Sequence, residues 1–464
     1  MSIHSQTRKR TSRRRRVAIA PGSEAGVGFL KAWADMVPNW MPQLPRRRGR
    51  KPRVALDHIL QALTFHVTQG AGTLAEHFFE LFEEPLADSS WSDRRRRLPW
   101  EVFADLMRRA LRPIAMRRRH PDAFWRGWRV LALDGTQYSV MNTPQVRATT
   151  TKAASRRGRA AFAKLGVAVL LEVGVHNPLA AAIARQGESE LALARRLFAQ
   201  LPKRALLLAD RLYGVPGIMV DVWEACRRVG SHFLFRVPRN IKARVVKKLP
   251  DGSRSVRLNV REKRRPWHIV DHVEMREIRV HVGRKGFQRH ELRLCTSLLD
   301  PRTAPALELA RLYATRWEHE LYFRNAKRVV RHTDVLQSHT VETGAQEIAA
   351  IILVTALLAR ERARAATGQV PVLRIKFGVV LAIVRSMWFS LGPIEDLLTE
   401  TQKRQIVARG QALMRRALTI AARCEAYESS ATVWSKGPSP AEEQAHSTMT
   451  TGKIHARRIP LFCI

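Results

Sequence analysis

Two short apolar runs, each ending in an aspartate, constrain the fold more than any other feature of the chain. They are residues 128–134 (WRVLALD) and residues 204–210 (RALLLAD). Continuous apolar runs of this length are typical of strands that are buried on both faces of a sheet. If the two strands are parallel neighbours, Asp134 and Asp210 emerge together at the sheet edge where open α/β sheets place their sites.

The segments around these runs alternate between strand-like and helix-like patterns. Such alternation predicts a mixed sheet with layers of helices over residues 123–340. Residues 238–300 instead alternate apolar and polar side chains around hairpin signals at residues 250–252 and 283–286, which predicts a β insertion inside this domain. The other predicted strands are residues 164–175, 179–183 and 231–237, and the predicted helices are residues 189–201 and 215–228.

A helical region precedes the α/β domain. Residues 51–122 are predicted to form a helical DNA-binding domain, because Thr73 and Glu76 have the spacing of a capping box and a basic segment follows the helix they open. The arginines of that segment are the predicted DNA contacts, and a plain helical bundle with solvated arginines is the alternative. They are Arg94, Arg95, Arg96 and Arg97.

A second helical region follows the α/β domain and completes the predicted order of domains. Residues 341–428 form this region, and residues 347–423 within it are expected to be apolar on one side and Arg-rich on the other. Residues 1–50 are a basic arm and linker. Residues 429–464 are rich in Ser, Thr, Pro and Gly and are predicted to be a disordered tail.

The charge of the chain calls for a polyanionic partner. Lys and Arg number 81 against 40 acidic residues, a formal charge of +41. Nucleic acid is the leading candidate, and an anionic membrane surface is the alternative. The longest apolar run, residues 348–359, is too short to span a membrane. The four cysteines are isolated from one another, which favours a reducing cytosol without disulfides or structural zinc.

One segment combines helical periodicity with a stripe of polar side chains. Residues 311–327 lack Gly and Pro, and Tyr313, Arg316, Glu320 and Lys327 would lie within an arc of about 60° on one helix face. The stripe would be roughly 21 Å long. Its cations suit phosphates and its carboxylate suits a metal ion, whereas an exposed helix with ordinary ion pairs is the alternative.

Three carboxylates are therefore candidates for one cluster: Asp134, Asp210 and Glu320. Carboxylates placed together repel unless a cation neutralises them, and Mg²⁺ prefers oxygen ligands. Two such ions can promote in-line displacement at a phosphodiester. Each acid also has an ordinary interpretation, because Asp134-Gly135 could be a turn, Asp210-Arg211 an ion pair and Glu320 a solvated helix position.

The spacing Tyr313-x2-Arg316-x3-Glu320-x6-Lys327 resembles the signature of bacterial insertion-sequence DDE transposases of the cut-and-paste, YREK-bearing type. The residues around Asp134 (Asp-Gly-Thr) and Asp210 (Asp-Arg-x-Tyr-Gly) are also similar to that family. The resemblance implies a ribonuclease-H-like core with the β insertion between the second Asp and the Glu. It implies that the three acids bind Mg²⁺, with Mn²⁺ able to substitute and two ions expected. The other three signature residues would contact phosphates.

The same resemblance implies nicking at transposon ends and strand transfer into target DNA. The expected partners are double-stranded terminal inverted repeats and target DNA, with a homodimer in the paired-end complex and no membrane. The expected location is the bacterial cytoplasm, in association with the nucleoid. Trp267 could stack on a flipped base or pack within a hairpin. The alternatives to a transposase are a metal-dependent nuclease on the same core and a DNA-binding protein from a decayed element.

Overall fold

The structure, a computed structural model, describes residues 54–150, 152–155, 158–241, 243–261, 269–283, 290–366, 370–391, 398–429 and 453–455. The predicted arm (residues 1–50), Trp267 and the hairpin signal after Gly283 lie outside the described residues. So does the predicted tail, apart from Ser429 and residues 453–455.

One large sheet forms the centre of the molecule. Its strands are β1 Phe124–Trp125, β2 Trp128–Val140, β3 Lys152–Ser155, β4 Gly158–Glu172, β5 Asn177–Ile183, β6 Ala205–Ala209, β7 His232–Arg236, β8 Arg244–Lys248, β9 Arg254–Arg261, β10 Ile269–Gly283, β11 His290–Thr296 and β12 Lys453–His455.

The order of the strands confirms the predicted architecture. The central strands run β5-β4-β2-β6-β7; β4 is antiparallel to both of its neighbours, whereas β2, β6 and β7 are parallel. This is the ribonuclease-H-like arrangement. The β insertion does not form a separate sheet, because β11 pairs with β7 and extends the central sheet through β10 and β9 to β8.

Helices cover both faces of this sheet. They are α1 Leu56–His66, α2 Leu74–Phe82, α3 Asp88–Arg97, α4 Trp100–Ala110, α5 Pro144–Thr149, α6 Glu190–Phe198, α7 Pro216–Val229, α8 Ala306–Ala314, α9 Trp317–Arg324, α10 Val341–Ala365, α11 Phe377–Leu391 and α12 Glu400–Ser429. Short 3₁₀ turns lie at Pro121–Ala123, Val173–Val175 and Val372–Arg374, and a π-helical turn lies at Asn325–Val330.

The alternation of side chains along β2 shows which residues face the helices on each side of the sheet. Leu131 and Leu133 belong to the core beneath α6 and α7, whereas Val130 and Ala132 belong to the core beneath α8. Successive side chains of a strand point to opposite faces. Asp134 therefore continues the row that faces α8.

The two helical regions at either end of the chain share one hydrophobic core. Side chains of α1 to α4 pack with those of α10 and α11 in the same cluster, together with one face of β4. The capping box of Thr73 and Glu76 is confirmed at the start of α2. The two regions therefore pack as one helical unit, although the sequence suggested two separate ones.

Helix α10 is the centre of this unit and corrects the expectation of a one-sided amphipathic helix. Side chains on all its sides are buried, including Glu347 and Arg362. It is the one helix in the described part of the chain that is long and apolar enough to cross a membrane. However, 94% of its apolar window is buried inside the protein, as in a core helix.

Candidate active site

The register between β2 and β6 brings the two aspartates together. The strands are parallel and pair Leu133 with Ala209, so Asp134 and Asp210 follow side by side. The predicted parallel pairing is confirmed. However, β2 does not end at Asp134; it continues to Val140 against β4, and only its pairing with β6 stops. This also excludes the turn interpretation of Asp134-Gly135.

The segment that carries the stripe is not one straight helix. Helix α8 ends at Ala314, α9 begins at Trp317, and a π-helical turn follows from Asn325. Tyr313 therefore lies in α8, Arg316 at the junction, Glu320 in α9 and Lys327 in the π turn. The prediction of a stripe on one continuous helix is wrong, because the segment divides into these three pieces. The alternative of an exposed helix is also wrong, because Tyr313, Arg316 and Lys327 each contact the sheet.

Arg316 joins two of the three candidate acids. Its guanidinium donates from Nη2 to Glu320 Oε1 at 2.7 Å and from Nη1 to Asp134 Oδ2 at 3.3 Å. The side chain is only 7% exposed. Burial alone would lower the pKa of Arg316, but Tyr313 and the surrounding carboxylates raise it above its ordinary value. Arg316 is thus a fixed cation at the centre of the site.

The carboxyl of Asp134 is strongly affected by its surroundings. Burial raises the pKa of its carboxyl from 3.8 to about 7, and the nearby charges of Glu190 and Asp210 act in the same direction. The Arg316 cation and the Gly135 N–H, which donates to Asp134 Oδ1 at 2.9 Å, oppose this rise. A carboxylate held in this way gains from a second cation beside it.

Tyr313 supports Asp210 from inside the core. It is 4% exposed, and its hydroxyl donates to the Ala209 carbonyl oxygen at 3.3 Å and lies 3.5 Å from Asp210 Oδ1. Burial raises the pKa of its hydroxyl. In this conformation Tyr313 and Arg316 face the acids, and their contacts with phosphates stay a prediction.

Lys327 retains partial exposure. Its Nζ donates to the Gln137 carbonyl oxygen at 2.7 Å and lies 5.0 Å from the centroid of the Tyr138 ring. Partial burial lowers the pKa of Lys327. Of the three predicted phosphate contacts, it alone has a side chain placed at the rim of the site and clear of the acids.

The acids provide suitable ligand atoms for a metal ion but are not arranged to hold one in this conformation. No group of three or more His, Cys, Asp or Glu side chains within the described ranges is arranged to hold a metal ion. Arg316 lies between Asp134 and Glu320 and donates a hydrogen bond to one carboxylate oxygen of each. The donor set itself, carboxylate oxygens with one partly desolvated member, is of the kind that binds Mg²⁺ or Mn²⁺. Asp134, Asp210 and Glu320 would be the ligands.

Sequence reasoning missed Glu190, which lies next to these acids. Glu190, the first residue of α6, accepts a hydrogen bond from the Tyr213 hydroxyl at 2.6 Å. A Cβ added to Gly135 would lie 2.3 Å from the Glu190 carboxyl carbon, so a side chain there would displace the Glu190 carboxylate. The signals were the glycine after Asp134 and the tyrosine three residues after Asp210.

The arginine run of α3 divides into a structural member and exposed ones. Arg95 is 8% exposed and donates to Gln346 Oε1, Ser338 Oγ and the Thr343 carbonyl oxygen. The prediction that Arg95 contacts DNA is therefore wrong. Arg96 and Arg97 are exposed and Arg94 is half-buried, so these three remain available.

Comparison with known proteins is in accord with this geometry. Residues 125–357 match the family model described as "Transposase DDE domain". "Transposase InsG for insertion sequence element IS4" of Escherichia coli (strain K12) is 27% identical over 237 residues, 50% of this chain and 52% of that protein. "Putative transposase InsZ" of the same organism is 26% identical over 124 residues, 26% of this chain and 40% of that protein. The chain thus spans about half the length, or less, of these curated relatives.

A distant likeness is found among solved structures. The piggyBac transposase of a synaptic complex with hairpin DNA aligns with 87% of each chain at a TM-score of 0.44 and 9% identity.

Proposed function

Because the chain belongs to the transposase DDE domain family, we propose that it is a DNA transposase that nicks DNA at the ends of an insertion sequence and transfers those strands into target DNA. The observation that carries this proposal is the parallel register of β2 and β6, which sets Asp134 beside Asp210. Arg316 also connects Asp134 to Glu320 through its two hydrogen bonds.

The family uses divalent metal ions, and we propose Mg²⁺, in two copies, with Mn²⁺ able to substitute. Bound there, the ions would supply activation of the attacking oxygen and stabilisation of the leaving oxygen. Asp134, Asp210 and Glu320 would hold them. Arg316 would have to leave at least one of its carboxylates, which frees its guanidinium for a phosphate oxygen. Tyr313 would keep Asp210 in place.

The partners we propose are double-stranded DNA, at terminal inverted repeats and at the target site, and a second copy of the chain in the paired-end complex. Lys327 at the rim, together with Arg94, Arg96 and Arg97 on α3, would contact phosphates. The excess of basic residues supports a nucleic acid partner. The proposed location is the bacterial cytoplasm, at the nucleoid.

The test is incubation of purified protein with labelled DNA that carries the inverted repeats flanking the gene, in the presence of Mg²⁺. We expect nicked ends and products joined to a target plasmid. Cut products without joined ones would instead identify a nuclease, and binding alone would identify a DNA-binding protein from a decayed element.

A set of matched variants identifies the acids that act. Asp134→Asn, Asp210→Asn and Glu320→Gln should each abolish nicking and joining while leaving end binding intact, because each removes a charge at nearly constant shape. Asp221→Asn, on the outer surface of α7, is the control and should nick and join as the native protein does. Nicking at the native rate by any of the three site variants would remove that residue from the proposed site.

A further inference from the structure

We propose that Glu190 is a fourth carboxylate of the metal site, held beside Asp134 by Tyr213 and admitted by the missing side chain of Gly135. This inference rests on the proposed function, because it adds a residue to the same site. It assigns a metal-binding role to a side chain that belongs neither to the three predicted acids nor to the four-residue signature.

The space above Gly135 is filled by the carboxylate of Glu190. Asp134 and Gly135 are consecutive on β2, and the Glu190 carboxylate occupies the volume where a side chain at residue 135 would be. Both carboxylate oxygens lie 2.6 Å from the position of such a Cβ. The glycine therefore allows a second carboxylate to approach the backbone next to Asp134.

Glu190 is held above Gly135 both by its backbone and by its carboxylate. Its backbone begins α6 immediately after the N-cap Ser189, whose side chain accepts from the Ala192 N–H. One carboxylate oxygen, Oε1, accepts the Tyr213 hydroxyl bond at 2.6 Å. Tyr213 is fully buried in the loop that follows Asp210. The same tyrosine thus ties Glu190 to the strand end that carries the second aspartate.

The balance of acidic and basic groups at the site also supports the proposal. Asp134, Asp210, Glu320 and Glu190 bring four carboxylates to the site. The cations that face them are Arg316 and, at 3.8 Å from Asp210, Arg236. Four carboxyl groups against two cations leave an excess of acidic groups, which divalent cations would neutralise. Glu190 is only half-buried, so part of the residue is exposed to solvent.

An ordinary explanation exists for each contact taken singly. A Glu in the first turn of a helix interacts favourably with the helix dipole, and a buried tyrosine hydroxyl needs an acceptor. The need of the tyrosine for an acceptor would be satisfied by Gln at residue 190 as well as by Glu. Neither explains why the carboxylate is placed over Gly135, against the backbone of a proposed metal ligand.

The test is a titration of the full-length protein with Mn²⁺ in the absence of DNA, followed by the electron paramagnetic resonance signal of free Mn²⁺. Glu190→Gln keeps the acceptor for Tyr213 and removes the charge, and we expect Mn²⁺ binding to weaken about tenfold or more. Glu188→Gln is the matched control, because this acid two residues earlier bonds to Arg196 and should leave Mn²⁺ binding unchanged.

Two further variants test the geometry. Tyr213→Phe keeps the charge but releases Glu190, so Mn²⁺ binding should weaken by less than it does in Glu190→Gln. Gly135→Ala should weaken Mn²⁺ binding by displacing Glu190. In a Glu190→Ala background, where nothing occupies that space, adding Gly135→Ala should cause no further loss.

The outcome is read against Asp134→Asn in the same titration. If Asp134→Asn weakens Mn²⁺ binding and Glu190→Gln binds Mn²⁺ like the native protein, Glu190 is a structural residue and this inference is overturned while the proposed function stands. If neither variant changes Mn²⁺ binding, the acids are not a metal site and the proposed function fails with it.

Discussion

At the scale of single residues, Arg316 is the side chain whose role depends most on its tertiary partners. On the sequence it is one of two cations in a phosphate-binding stripe. In the structure its guanidinium is buried and divides its hydrogen bonds between Asp134 and Glu320. A fixed cation between two carboxylates stabilises them when no metal is bound, and it competes with any metal that uses the same oxygens.

We therefore predict that Arg316→Ala binds Mn²⁺ more tightly than the native protein when no DNA is present, because a competing positive charge is removed from both carboxylates. Lys327→Ala is the matched control, since Lys327 bonds to a backbone carbonyl and should leave Mn²⁺ affinity unchanged. Isothermal titration with Mn²⁺ checks both. Weaker Mn²⁺ binding by Arg316→Ala would mean that the arginine organises the acids for the metal.

Asp134 gives a prediction about stability and pH. Its pKa is raised from 3.8 to about 7 in the folded protein, so the folded state binds more protons than the unfolded state between these values. Stability of the native protein should therefore fall as the pH rises from about 4 to about 7. Asn at residue 134 has no charge to bury, so Asp134→Asn should raise the melting temperature more at pH 8 than at pH 5.

Thermal melts at the two pH values check this expectation. Asp221→Asn, which alters an exposed ion pair, is the control and should show no comparable dependence on pH. An equal change in melting temperature for Asp134→Asn at both pH values would show that the folded protein does not hold Asp134 against ionisation.

At the scale of secondary-structure elements, α3 shows how one basic helix can serve two purposes. Trp91 and Arg95, four residues apart, form its buried face, whereas Arg96 and Arg97 lie on its exposed side. The Arg95 guanidinium is bonded to the loop before α10 and to the first turn of that helix. The helix is thus anchored by one arginine and can present the others to DNA.

We predict that Arg95→Ala lowers the free energy of unfolding by on the order of 2–3 kcal/mol, because it removes a charged donor from three buried acceptors. Arg97→Ala should change the free energy of unfolding by less than about 0.5 kcal/mol, because the side chain is exposed. It should instead weaken binding to all DNA sequences alike. Urea denaturation and DNA titration of both variants separate the two effects, and equal stability of the two proteins would contradict the anchoring role of Arg95.

At the scale of the whole molecule, the net charge of +41 should dominate association with DNA. Each phosphate neutralised by a basic residue releases condensed counterions, so the logarithm of the binding constant should fall with the logarithm of salt concentration by about 0.9 per phosphate. Residues 8–16 contain two clusters of basic side chains, Arg8-Lys9-Arg10 and Arg13 to Arg16.

Deletion of residues 1–16 should flatten this salt dependence and lower affinity for terminal and random DNA by the same factor. Fluorescence anisotropy over a range of salt concentrations measures both. A deletion that changed only the preference for terminal over random DNA would show that the arm reads bases.

The sequence by itself determined the features that depend on local pattern. The apolar runs before the two aspartates, four residues at 130–133 and five at 205–209, are typical of buried strands. The paired segments of β2 and β6, and the aspartates that follow them, were therefore predictable. The capping box at Thr73 and the N-cap at Ser189 were predictable for the same reason, since each involves residues three apart. The family signature added Glu320.

Only the tertiary structure decided the features that depend on partners distant in the chain. Arg95 is buried because its acceptors lie 243 to 251 residues away, and Arg316 faces Asp134 across 182 residues. The break between α8 and α9 turns the stripe toward the sheet, and the periodicity of the segment does not predict this break. No local sequence pattern predicts the position of Glu190 either, because that position depends on the space above Gly135. Such pairings arise when separate elements pack, and packing is not encoded in the spacing of any one segment.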